Sequence, residues 1–167
     1  MPGVAPDLST ALFQQVPDDL DETWTWGVLT GGMAWREGAP PAREFLTAAN
    51  FLVERALADG DTGPDLRDPI LFLYRHAIEL ALKDAIKTYK PKHGLPELID
   101  ALEKRHGVSL DPLVRARLDE WVLHDPASTA YRYAKAPSGV PADERWVDLR
   151  HLREVMELLV TRLRELA

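Results

Sequence analysis

DPILFLYRHAIELALKDAIKTYK, residues Asp68 to Lys90, is the stretch that decides the fold. Pro69 suits the first turn of a helix, where the N–H it lacks has no partner to lose. The 21 residues after it contain neither glycine nor proline. At helical spacing Ile70, Tyr74, Ala77, Ile78, Ala81, Leu82 and Ala85 cover more than half of the circumference. Arg75, His76, Glu79, Lys83 and Lys87 fill the remaining arc. A helix so apolar belongs inside a bundle, and its narrow polar seam then needs a reason. Arg75–Glu79 and Glu79–Lys83 are i,i+4 pairs able to form an ionic ladder that braces the bundle. The alternatives are that Arg75, His76, Glu79 and Lys83 line a nucleotide or phosphate pocket, or that they form a solvated surface stripe.

Outward from this rod the chain reads as helices divided by punctuation. Pro41 to Leu57 carries Phe45, Ala48, Ala49, Leu52 and Ala56 at helical spacing. Pro91 to Gly94 is expected to close the central helix. Pro96 to Arg105 forms a short amphipathic helix with Leu95, Leu98, Ile99 and Leu102, and Pro112 to about Leu123 forms the next, edged by Val114, Leu118, Trp121 and Val122. Asp125 to Ala142 holds three prolines and a glycine and reads as a long irregular connection. Within it Ala130 to Tyr133 alternates and suggests a short strand-like piece. A last helix is expected from near Asp143 and Glu144. Its Leu149, Leu152, Met156, Leu159, Leu163 and Leu166 keep alternating steps of three and four, which suits either an antiparallel bundle contact or a dimer seam. The fold class expected is all-α, a bundle of four to six helices with a long irregular loop before the last.

Residues 1–40 differ from the rest. Pro2, Pro6 and Pro17 interrupt them, Gly27, Gly31 and Gly32 loosen them, and Trp24, Trp26 and Trp35 make them aromatic. A helix over Asp18–Trp26 is expected, and the tryptophans call for packing on the body or on a partner. Residues 41–167 then form the helical domain.

The 167 residues suffice for one compact domain with a sizeable core. No apolar run reaches the ~18 residues that span a bilayer. The start MPGVAPDLST lacks the basic and apolar parts of a secretory signal, so a cytoplasmic location is expected. The absence of cysteine removes disulfides, thiol catalysis and thiolate metal sites. A net charge of −7 disfavours non-specific nucleic-acid binding, although a local basic groove remains compatible with it. Neither Gly-x-Gly-x-x-Gly nor a Walker-type Gly-Lys-Ser/Thr occurs. His76-x-x-Glu79 is the reverse of the di-iron order and occurs once, and His93, His106, His124 and His151 lack paired ligand spacing. No cofactor and no metal are expected.

Four pieces together resemble HEPN-type domains: LYRHAIELALKDAI at 73–86, HGLPELIDAL at 93–102, HDPASTAYRYA at 124–134 and WVDLRHLREVMELL at 146–159. The first resembles the family's central helix, with its His-Ala-x-Glu-Leu-x-Leu-Lys core. The likeness runs from about Phe45 to Ala167. It implies a four-to-five-helix bundle, often a homodimer. Many such proteins are metal-independent endoribonucleases of bacterial toxin–antitoxin, phage-defence or stress systems. Others lack a catalytic motif and bind nucleotides, RNA or a protein partner such as an antitoxin.

The catalytic members carry an Arg followed after four to six residues by a His. Guanidinium stabilises a phosphate whose charge is changing, imidazole moves a proton near neutral pH, and the RNA's own 2′-OH attacks. Two pairs here have that spacing. Arg145 and His151 are the first choice, because the family motif lies late in the domain. On one continuous helix they would stand about 120° apart, so Arg145 must lie on the loop side of the helix start or reach a site shared across a dimer. Arg117 and His124 are the second choice, within about 20° on one face and roughly 10 Å apart. Active members commonly have a polar residue after the Arg and a Tyr two beyond the His. Here Trp146 follows Arg145 and Arg153 replaces that Tyr, while Leu118 follows Arg117 and Pro126 stands beyond His124. Arg132, between Tyr131 and Tyr133, suits stacking, phosphate binding or anchoring of the loop. The rival expectation is a non-catalytic dimerisation or interaction module.

Overall fold

The computed structural model describes residues 41–59, 63–88, 93–107, 109–132 and 145–167, and at 63 and 64 the backbone alone. The arm over residues 1–40, Tyr133 and most of the connection before the last helix lie outside the described residues. Among the described residues there are five α-helices and no strand: α1 Ala42–Ala58, α2 Gly63–Ala85, α3 Leu95–His106, α4 Pro112–His124 and α5 Leu149–Arg164. They form the all-α bundle that the apolar periodicity calls for. None is long and apolar enough to cross a membrane.

α2 is the axis. It packs against α1 most extensively, then against α5 and α3, while α4 touches α3 and α5. All seven apolar positions read from its sequence are buried, with Leu71 and Leu80 beside them. Burial of this kind contributes roughly 25 cal/mol per Å² of apolar surface, so α2 carries a large share of the core. α1 supplies Leu46, Ala49, Val53 and Ala56, and α5 supplies Met156, Leu159, Val160 and Leu163. Met156, Leu159 and Leu163 of the α5 stripe are thus spent inside the chain as a bundle contact with α1 and α2, while Leu166 at its end is exposed.

Both ends of α2 differ from expectation. The helix begins at Gly63, so Pro64 takes the first-turn place and Pro69 lies inside the helix. A proline there removes the bond to the carbonyl of Asp65. Both residues are exposed, where water can satisfy that carbonyl. The far end stops at Ala85, well before Pro91. Lys87 takes a left-handed backbone (φ 52°). Its N–H donates to the Asp84 carbonyl (3.1 Å) and that of Thr88 to the Lys83 carbonyl (3.0 Å). This pair of bonds is the Schellman ending, in which glycine is the favoured left-handed residue. Lys87→Gly is therefore expected to raise stability by about 0.5–1 kcal/mol, measured by urea denaturation.

The other caps follow their sequence more simply. Asp111 accepts from the N–H groups of Leu113 and Val114 at the start of α4. Gly107, with φ 67°, closes α3. α5 starts at Leu149 and not at Asp143 or Glu144, because Asp148 caps it through the N–H groups of Arg150 (2.8 Å) and His151 (3.2 Å). The strand-like piece expected at Ala130 is instead a turn, closed by the Arg132 N–H on the Thr129 carbonyl (3.3 Å).

Candidate functional site

The polar seam of α2 lies inside the bundle. Arg75 and Glu79 are wholly buried and Lys83 nearly so. Arg75 Nη1 donates to Glu79 Oε2 (2.7 Å) and Lys83 Nζ to Glu79 Oε1 (2.8 Å), so the i,i+4 ladder read from the sequence forms. Two partners come from outside α2. His93 Nδ1 lies 2.9 Å from Glu79 Oε1; an ionised carboxylate only accepts, so this nitrogen carries the proton. Arg75 Nε donates to the Asp125 carbonyl (3.1 Å), and its Nη2 donates to the carbonyls of Pro126 (3.3 Å) and His93. One guanidinium thus holds two loops, the one before α3 and the one after α4. The Leu95 N–H, donating to the same Pro126 carbonyl (2.9 Å), joins those loops directly.

Charge explains why the seam tolerates burial. Burial alone would push the Glu79 carboxyl up. The bonds from Lys83 and His93, with the Arg75 and Lys83 charges, outweigh that and hold it below the usual carboxylate range. Burial lowers the Arg75 guanidinium, against the pull of Glu79 and Asp125, yet arginine stays charged in proteins. Asp125 is the second buried carboxylate. Its Oδ1 accepts from the N–H groups of Thr129 (2.7 Å) and Ala130 (3.1 Å). Arg75 and Lys83 balance Glu79 and Asp125 in charge, the form in which buried charge is tolerable, although Asp125 Oδ2 is buried with no hydrogen-bond partner among the described residues.

His76 sits at the edge of this network, its Nδ1 3.9 Å from Glu79 Oε2. Burial depresses its pKa, with Glu79 pulling the other way. Its ring belongs to an aromatic column. Phe45 of α1 meets it edge-on (4.5 Å, 84°), and Phe72 lies parallel to it (5.9 Å, 5°). The Arg132 guanidinium stands 5.9 Å from the Phe72 centroid. Tyr131 packs edge-on against Trp121 (6.4 Å, 82°), and burial pushes its phenol up to about 12. Of the three candidate binding residues, Tyr131 anchors the loop, Arg132 caps the column and Tyr133 lies outside the described residues.

The two Arg–His pairs fare differently. Arg145 lies on the non-helical segment 145–148 ahead of the Asp148 cap, and His151 is exposed in the first turn of α5. Between them Trp146 is 93% exposed. Arg117 pairs with Glu120 (3.0 Å), and His124 ends α4 half-buried. Neither pair lines either of two clefts found among the described residues. One, of about 250 Å³, is floored by Leu102, Leu110 and Val114. The other, of about 350 Å³, lies between α1 and α5. No three His, Asp or Glu side chains among the described residues converge as a metal set.

Sequence reasoning missed His93, Asp125, Phe45 and Phe72 as partners of the seam. His93 and Asp125 stand in the quoted pieces HGLPEL and HDPAS, but Arg75 reaches them through backbone carbonyls, which leave no mark on residue type, and the side-chain bond of His93 to Glu79 spans 14 residues across a turn that helical spacing does not predict. A buried Glu flanked by two cations was the one available hint that further partners existed. No family model matches the chain, and no curated protein or solved structure matches it.

Proposed function

We propose that this is a HEPN-type protein with RNA-directed activity in a bacterial toxin–antitoxin, defence or stress system, acting as a metal-independent endoribonuclease at the start of α5. The observation that supports this reading most is the position of Arg145. Because α5 starts only at Leu149, Arg145 is free of the helical phase that would set it about 120° from His151. Exposed Trp146 offers a ring on which an unpaired base stacks. In the reaction His151 takes the proton of a ribose 2′-OH, and that oxygen attacks the adjacent phosphorus. Arg145 stabilises the charge on the phosphoryl oxygens. The bond to the 5′-oxygen breaks, water protonates the leaving oxygen, and a 2′,3′-cyclic phosphate remains.

A second reading, a non-catalytic interaction module in the cytoplasm, draws on a specific observation: neither Arg–His pair lines a described cleft. In the catalytic reading a second copy of the chain completes the site. RNA cleavage in EDTA separates the two. Wild type is expected to cleave, with Arg145→Ala and His151→Ala each slower by about a hundredfold and His124→Ala unchanged. No cleavage by wild type, or undiminished cleavage by both variants, removes the enzyme and leaves the module.

A further inference from the structure

α1 and α5 run antiparallel, and their cross-links fix a register. Glu54 Oε1 meets Arg153 Nη1 at 3.0 Å, and one turn further Asn50 Nδ2 donates to Glu157 Oε1 at 2.8 Å. Arg153 Nε also reaches Glu157 Oε1 (3.4 Å), so that carboxylate is partly neutralised. The next rung brings Thr47 and Thr161 to the same cleft, and the last brings Arg43 and Arg164. The ladder thus runs from an ion pair, through an amide–carboxylate bond and two hydroxyls, to two arginines.

No acidic side chain among the described residues pairs with Arg43 or Arg164. Three other arginines on these helices are paired, Arg55 with Asp59, Arg153 with Glu54 and Arg162 with Glu165, while Arg150, far from the cleft, likewise has no acidic partner among the described residues. Arg164 suits the C-terminal turn of α5, where helix carbonyls favour a cation. Arg43 does not suit its place, since it adds positive charge to the positive end of α1. That end has no side-chain cap either. Two guanidinium groups thus bear on one cleft of about 350 Å³, above the buried side chains of Leu46 and Val160, while the positive end of α1 is opposed there by the negative end of α5.

We infer that this cleft binds the phosphate group of a small phosphomonoester. The arginine forks match two edges of a phosphate, and Thr47 and Thr161 supply hydroxyl donors. Asn50, whose Oδ1 accepts from the Tyr74 hydroxyl (2.7 Å), holds Glu157 at the inner end, and the Glu157 carboxylate accepts from ligand hydroxyls, as a ribose would present them. A polynucleotide fits less well, because its next phosphate would meet the Glu157 carboxylate. Along α5 the site extends from about 9 Å (Glu157) to about 20 Å (Arg164) from His151, and it stands or falls independently of the cleavage proposed there.

Binding of inorganic phosphate, AMP and a short single-stranded RNA to the full chain tests this by calorimetry and thermal melting. AMP is expected to bind, tighter than phosphate and tighter than the RNA, and to raise Tm. Arg43→Ala and Arg164→Ala each weaken AMP binding by about tenfold or more, while Arg55→Ala, outside the cleft, leaves it unchanged. Arg43→Glu abolishes binding, yet in the absence of ligand melts above wild type by about 1–3 °C, because it gives Arg164 an acidic partner. Three results would overturn the inference. They are no binding of AMP or phosphate at millimolar concentration, AMP binding that survives both alanine variants, and arginine-dependent binding of the RNA alone.

Discussion

Glu79→Ala is expected to cost about 3–5 kcal/mol. The carboxylate is the shared acceptor of Arg75, Lys83 and His93. Removing it leaves two buried cations facing a cavity. Against a total stability of about 5–15 kcal/mol this is a large fraction, readable as a shifted urea midpoint. Glu79→Gln fills the space but turns an N–H toward a cation, and should fall between alanine and wild type. The pH dependence carries the same signature. The Glu79 carboxyl is lowered in the folded state, so its contribution is present above the unfolded value and is lost as pH falls through the folded one. His76 is also lowered, so the folded chain binds that proton less tightly than the unfolded chain. Stability therefore begins to fall below the ordinary imidazole value of 6.5. Acidification should show both losses in turn, His76→Gln removing the first and Glu79→Gln the second. A single acid transition identical in all three proteins would contradict this account.

Arg75→Met is expected to cost nearly as much, about 3–4 kcal/mol, although methionine occupies similar apolar volume. Buried ion pairs can often be replaced by hydrophobic residues at little loss, but here the guanidinium also serves three backbone carbonyls. The Pro126 carbonyl keeps the Leu95 N–H, but those of His93 and Asp125 lose this donor, and each buried acceptor left without one costs about 1–3 kcal/mol. For the same reason the combined change Arg75→Met, Glu79→Leu, Lys83→Met should not restore wild-type stability. Hydrogen exchange adds a local readout. The amides of Leu95, which ties the two loops, and of Thr129 and Ala130, which fold the second loop onto Asp125, should exchange faster in Arg75→Met than amides in the middle of α1. Uniform acceleration would show that Arg75 braces the bundle as a whole and not those loops.

α2 shows how far residue type alone reaches. Its seven apolar positions and its Arg–Glu–Lys ladder are legible because both depend on spacing along one helix, which 3.6 residues per turn dictate. Its ends were misread, since a proline tolerated inside an exposed turn and a lysine in the left-handed ending are choices that packing overrides. The start of α5 was placed too early for a related reason: Asp143, Glu144 and Asp148 all suit a helix start by composition. The side-chain bonds of Asp148 to Arg150 and His151 decide among them.

By itself the sequence determined that this protein is a helical bundle built around Asp68–Lys90, because apolar periodicity is a local property. It also determined that the polar seam has to be paired, because isolated buried charge is too costly. Only the tertiary structure decided what the seam is paired with and where free positive charge remains. The carbonyls of His93, Asp125 and Pro126 converge on Arg75 from two loops, and Arg43 meets Arg164 only through the antiparallel register of α1 and α5. Contacts between residues far apart in the chain depend on packing angle and register, which no single helix encodes.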